Sequence, residues 1–209
     1  NPCWSKKDLG EALPDSIHAV SVALPTWEDV IDYEDKKISC IQKLKSIYPR
    51  FGFNPLISEI SKRACDFNYF KECTAWPYPN LATAKKADSF CKSQCKDCKT
   101  KIKNISGLYC LIVNAPSSSA AKAFWQHTGL GASSRLAAIS LGLESEPSKV
   151  AGEEAKNLLK IRLAQIYSCN QKDITLYPSG MAAMENALNL VTHLRPNKPS
   201  LQIGFPYVD

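Results

Sequence analysis

Histidine and methionine are scarce in this chain, with three of one and two of the other among 209 residues. His18, His127 and His193 stand far apart in the sequence. That spacing leaves no metal-binding histidine pair on one helix and no evident Ser/His/Asp set. No glycine-rich P-loop is present. No apolar run approaches the ~20 residues needed to cross a bilayer as a helix. Internal repeats and low-complexity tracts are also missing, which sets solenoids and biased tails aside.

Cysteine is not scarce, but its pattern is uninformative of disulfides. The nine cysteines are an odd number, unevenly spaced and mixed with lysine. Reduced thiols in a cytoplasmic protein fit better than a secreted framework. Net charge is +6, and lysines crowd the stretch Lys85–Lys103 with little aromatic interleaving. A base-stacking surface is therefore not indicated, and we expect neither nucleic acid nor membrane as partner. The chain begins at Asn1 and ends at Asp209 after an apolar run, so part of a longer protein is expected.

Local patterns place the elements. Thr26-Trp27-Glu28-Asp29 reads as an N-cap with acidic residues in the first turn. Apolar residues at Ile38, Ile41, Leu44 and Ile47 predict a helix, as do Leu56, Ile57 and Ile60. Ala82–Lys99 reads as a basic helix. The continuous run Leu108–Val113 reads as a buried strand, followed by a helix opened at Pro116–Ser119. Pro147 opens a long helix, with Val150, Ala155, Leu158, Leu159, Ile166 and Tyr167 on its apolar face. A strand Ile174–Leu176, a helix Met181–Leu194 and a strand Leu201–Phe205 complete the pattern. This alternation argues for an α/β class with a mainly parallel sheet.

Three constellations could carry chemistry. The turn Tyr177-Pro178-Ser179-Gly180-Met181 joins an expected strand to a helix. There Ser179 would cap the helix while the amides of Gly180 and Met181 stay free for an anion. An ordinary capped turn explains the same residues. The loop Thr128-Gly129-Leu130-Gly131-Ala132-Ser133-Ser134-Arg135 offers an arginine suited to phosphate or carboxylate, or simply a solvated one. Cys91, Cys95 and Cys98 could hold zinc with a fourth ligand, or form one buried helix face.

At these residues the chain resembles a family. Leu24-Pro25-Thr26-Trp27-Glu28-Asp29-Val30, Tyr48-Pro49-Arg50-Phe51 and Phe124-Trp125-Gln126-His127-Thr128-Gly129-Leu130-Gly131 are similar to the N-terminal region of fungal cystathionine gamma-synthases. Tyr177-Pro178-Ser179-Gly180-Met181-Ala182-Ala183 and Gly204-Phe205-Pro206-Tyr207 continue the resemblance in register. The Ser-Gly-Met-Ala piece is common to the Cys/Met-metabolism enzymes that use pyridoxal phosphate.

The resemblance implies an N-terminal extension over residues 1–128. It also implies that residues 129–209 begin a fold-type I pyridoxal-phosphate transferase large domain, a mainly parallel sheet with flanking helices, cut short. It assigns Ser179, Gly180 and Met181 to the cofactor phosphate. Tyr207 matches the tyrosine that stacks on the ring and assists the chemistry. Arg135 matches an arginine reaching the phosphate in a neighbouring subunit. Many relatives carry a tyrosine two residues before that arginine; Ser133 stands there instead and removes one phosphate ligand. The implied reaction is gamma-replacement of an O-acylhomoserine with cysteine to give cystathionine, a step of methionine biosynthesis, in a homo-oligomer. The resemblance places the Schiff-base lysine beyond Asp209, so the chain alone is expected to be inactive. A related lyase or sulfhydrylase, and a truncated chain that only binds partners, remain as alternatives.

Overall fold

The computed structural model describes residues 5–205. The chain divides into two compact units, Asn1–Gln126 with Gly131–Glu144, and His127–Leu130 with Ser145–Asp209.

The first unit opens with a two-stranded antiparallel ribbon, β1 (Ala12–Leu13) and β2 (Ser21–Val22). Helix α1 (Trp27–Glu34) starts where the sequence signals it. The Thr26 hydroxyl accepts from the Asp29 amide at 3.2 Å, and the Asp29 carboxylate accepts from the Thr26 amide at 3.0 Å. This reciprocal capping box satisfies two donors that the helix itself leaves orphaned.

The helix expected over 38–47 stops early, as α2 (Ile38–Ile41). The cause is a competing backbone partner. The Lys45 amide donates to the Gly10 carbonyl at 2.8 Å. Gly10 has φ +86° and lies so close to the Lys43 carbonyl that a Cβ would fall 2.2 Å from it. Only glycine fits that conformation and approach.

The core of the unit is a three-stranded antiparallel sheet in the order β3 (Cys73–Tyr78), β5 (Leu108–Asn114), β4 (Thr100–Ile105). Strands β4 and β5 pair Ile105 with Leu108. The two residues between them, Ser106 and Gly107, both have positive φ. This is the tight turn whose twist matches an antiparallel hairpin.

Helices α3 (Pro55–Cys65) and α6 (Ser134–Ser140) pack on one sheet face through Ile57, Ile60, Ala64 and Ala137 against Ala75, Cys110 and Ile112. On the other face, α4 (Leu81–Gln94) and α5 (Ser118–Thr128) contribute Ala84, Ala87, Cys91 and Phe124. The Phe124 ring meets Tyr78 edge-on at 5.9 Å. Leu111, Ile112 and Val113 of the central strand are fully buried. Each stabilises the fold by about 1.5–3 kcal/mol through its removal from water.

The second unit holds two long helices, α7 (Lys149–Tyr167) and α8 (Gly180–Leu194). Its expected strands are not formed: 174–176 and 201–205 have no strand assignment. A strand is defined by its hydrogen-bonded neighbour, and no other segment pairs with these among the described residues. The parallel sheet is thus not observed, and the pairings seen are antiparallel. What stands is a mixed α/β chain with small sheets. Leu158, Leu159 and Ile166 on α7, and Met184, Leu188 and Val191 on α8, are exposed.

Candidate functional site

The turn before α8 is built as its sequence demands. Ser179 has extended dihedrals and caps the helix, its hydroxyl accepting from the Ala182 amide at 3.1 Å. The first intrahelical bond runs from the Ala183 amide to the Ser179 carbonyl. The amides of Gly180 and Met181 therefore precede the helical ladder, and neither has a partner among the described residues. Two aligned N–H groups at the positive end of a 15-residue helix favour an anion. Gly180 keeps the approach open, since a Cβ there would meet no atom within 4 Å.

A second glycine shapes this turn. The Ser179 hydroxyl donates to the Gly129 carbonyl at 3.1 Å. Gly129 has φ +61°, and a Cβ on it would lie 2.5 Å from Ser179 Oγ and 2.7 Å from Met181 Cβ. The Ser179 hydroxyl thereby holds the turn, giving its one proton to Gly129 and accepting from Ala182. The sequence marks Gly129 only as part of a small-residue loop. A contact between residues fifty apart has no local signal.

The remaining residues singled out in the sequence lie elsewhere. Arg135 sits in the first turn of α6, exposed and without an ion-pair partner among the described residues. Ser133 caps that helix, accepting from the Leu136 amide at 3.2 Å. Behind it His18 makes an unforeseen clamp. Its Nδ1 lies 3.0 Å from Ser134 Oγ and its Nε2 2.7 Å from a Glu144 carboxylate oxygen. One imidazole thus ties the start of α6 to the segment that leaves it. Tyr207 lies outside the described residues.

The cysteine stripe does not form one helix face. Helix α4 ends at Gln94, Cys95 occupies its C-cap, and Cys98 lies beyond. Cys91 is buried, and burial pushes its thiol up to about 12. A thiol held protonated is neither a nucleophile nor a ready metal ligand. Among the described residues no group of three His, Cys, Asp or Glu could hold a metal ion. No helix among them is long and apolar enough to cross a membrane.

Residues 54–133 match the family described as the fungal trans-sulfuration enzyme, N-terminal domain. The match runs from Asn54, the cap of α3, to Ser133, the cap of α6, and so takes in the whole three-stranded sheet. A candidate cystathionine gamma-synthase of Saccharomyces cerevisiae is 29% identical, over 74% of this chain and 27% of the relative. The cystathionine gamma-synthase of Neurospora crassa is 29% identical, over 65% of this chain and 26% of its own length. An L-2-amino-4-chloropent-4-enoate dechlorinase/desaturase of Streptantibioticus cattleyicolor is 25% identical, over 94% of this chain and 41% of its own. The chain thus spans less than half the length of these relatives. No solved structure matches. The sheet-bearing segment is similar to the N-terminal domain of fungal trans-sulfuration enzymes, and the longer stretches matched are similar to cystathionine gamma-synthase-like enzymes.

Proposed function

We propose that this chain is part of a pyridoxal-phosphate enzyme of the cystathionine gamma-synthase type, and that the turn before α8 cradles the cofactor phosphate. The observation that carries this reading is the pair of unpartnered amides, Gly180 and Met181, held in place by the Ser179 cap. A phosphate dianion suits them in charge, and the open space at Gly180 suits it in size. When bound, pyridoxal phosphate supplies an electron sink for carbanion chemistry on amino acids.

The chain's own residues then have distinct tasks. The Gly180 and Met181 amides fix the phosphate, and Ser179 fixes the amides. Arg135 would supply a guanidinium to the cofactor phosphate of a neighbouring subunit, in the manner of bidentate Arg–phosphate pairs. Tyr207, by the resemblance, would stack on the cofactor ring. Residues 129–209 would then begin the cofactor domain, with residues 1–128 as an N-terminal extension. For the whole protein we propose gamma-replacement of an O-acylhomoserine by cysteine in a cytoplasmic homo-oligomer.

Binding of pyridoxamine phosphate and of pyridoxamine tests this reading. Neither carries an aldehyde, so surface lysines do not trap them. The reading expects saturable binding of the phosphate ester and at least tenfold weaker binding of the alcohol. Equal affinity, or none, would contradict it.

A further inference from the structure

The first unit contains a cavity of about 470 Å³ that the reading above does not use. It lies between the α1–α2 turn, the segment around Ile47 and Phe51, and α5. Its volume is in the range of small-molecule sites.

The lining has a definite chemistry. Ile38, Ile41, Ile47 and Phe51 give it an apolar wall. Ile38 is 73% exposed and Phe51 is 55% exposed, so their carbon surfaces are left to water. Both signs of charge stand at the same cavity: Glu34 on one hand, Lys36 and Lys122 on the other. None of these three has an ion-pair partner among the described residues. Gln126 adds an amide that can donate or accept. A purely anionic ligand would meet Glu34, and a purely cationic one would meet two lysines. A ligand carrying both charges close together beside an apolar group meets neither obstacle.

The turn that places Lys36 at the cavity has a backbone conformation that matters for its test. Lys36 has φ +55°, the left-handed region that glycine occupies without steric cost. It ends α1 in a tight turn, its amide donating to the Tyr33 carbonyl at 3.0 Å. Glycine is the usual residue at such a helix end. A lysine there presents an ammonium to the cavity at a conformational cost, and such costs collect at binding sites. Tyr33, also in the lining, has its hydroxyl pKa pushed up by burial and by the neighbouring Glu34 carboxylate. The phenol can donate or accept a hydrogen bond at the cavity wall.

We infer that this cavity binds a free amino acid with an apolar side chain. The ligand ammonium faces Glu34. Its carboxylate faces Lys36 and Lys122, with Gln126 as hydrogen-bond partner. Its side chain covers Ile38, Ile41 and Ile47. The site lies wholly in the first unit, so it stands or falls apart from the phosphate cradle before α8.

Calorimetric titration of the purified chain tests this. Leucine, methionine and phenylalanine are compared with leucinamide, N-acetyl-leucine, glutamate and lysine. The expected result is saturable binding of the apolar amino acids at millimolar concentration or below. Capping either end of leucine should weaken binding about twofold to fivefold, the size expected for losing one solvent-exposed ion pair. Lys36→Gly separates side chain from fold. It relieves the left-handed strain, so thermal stability should hold or rise while affinity falls by the same factor. Lys122→Gln should lower affinity similarly. The inference is overturned if no apolar amino acid binds at about 10 mM, roughly tenfold above the millimolar upper end of common KM values for small substrates. It is equally overturned if leucinamide and N-acetyl-leucine bind as well as leucine, or if both variants bind like the parent.

Discussion

The Ser179 hydroxyl donates to the Gly129 carbonyl oxygen at 3.1 Å while accepting from the Ala182 amide at 3.1 Å. One side chain thus fastens the loop at Gly129 to the first turn of α8. The loop must pass close for this to happen, and only glycine permits it. Gly129→Ala should destabilise the chain for two reasons. The left-handed φ costs about 1–2 kcal/mol for a residue with a Cβ. The added methyl also strikes Ser179 Oγ and Met181 Cβ. Gly142→Ala is the control: its φ is +75°, but nothing lies within 4 Å of the new Cβ. Denaturant unfolding should show the larger loss for Gly129→Ala. Equal losses would mean that the close approach contributes nothing.

Ser179→Ala removes the cap and should cost about 1 kcal/mol. Ser179→Asp keeps the cap but cannot donate to the Gly129 carbonyl, so it should recover only part of the stability that Ser179→Ala loses. It should weaken binding of any phosphate-bearing ligand, because a carboxylate then sits beside the two free amides. Stability and ligand affinity, measured on both variants, should therefore move independently. If Ser179→Asp left phosphate binding intact, the amides would not be the anion site.

The His18 clamp predicts a different response. His18→Leu removes both the Ser134 and the Glu144 contacts. The His18 side chain is only 10% exposed, whereas Glu144 is 40% exposed and can turn to water. A loss of about 1–2 kcal/mol is expected, mostly from the unpaired Ser134 hydroxyl and the lost hydrogen bonds. Amide exchange should accelerate in α6 more than in α3. Uniform acceleration would show that the clamp is not local.

Alkaline pH should weaken the fold through its buried thiols. Burial pushes Cys91 and Cys110 up to about 12 from the ordinary 9.0. The folded state therefore holds protons that the unfolded chain releases earlier. This contribution is fully present below pH 9 and is lost as pH rises toward 12. Melting temperatures between pH 8 and 10.5 should fall, and Cys110→Ala should flatten that fall even though it lowers stability at pH 8. At pH 7.5 a thiol reagent should modify the exposed Cys169 well before Cys91 or Cys110.

Local signals in the sequence were legible where a few neighbouring residues decide the outcome. The Thr26 cap, the buried strand from Leu108 and the Ser179 cap all stand as read. Strand β3 was hidden because Pro77 interrupts its pattern. An edge strand tolerates proline, since its outer side needs no amide. Strand β4 alternates Lys101, Ile102 and Lys103, but it follows directly on the lysine-rich stretch Ala82–Lys99 that reads as helix, and no strand is read there. The Ser106-Gly107 turn was the missed clue to the hairpin. The early end of α2 depends on Gly10, more than thirty residues away, and no local pattern records it. The strands expected at 174–176 and 201–205 show the converse limit: apolar runs propose a strand, but pairing makes one. At the candidate site, Ser179 and Gly180 were visible in the sequence, while Gly129 and His18 were not, because their partners lie fifty and more residues distant.

The central claim is that the Gly180 and Met181 amides hold a phosphate. The direct measurement is a titration of the ¹⁵N-labelled chain with pyridoxamine phosphate, followed by amide resonances. The account predicts that the Gly180 and Met181 amide protons move downfield and saturate together, with smaller shifts at Ala182, whose amide is already bonded to Ser179. In Gly180→Pro, which deletes one of the two donors at a position where proline fits a helix start, the affinity should drop. Saturable binding that leaves both amide resonances unmoved would contradict it.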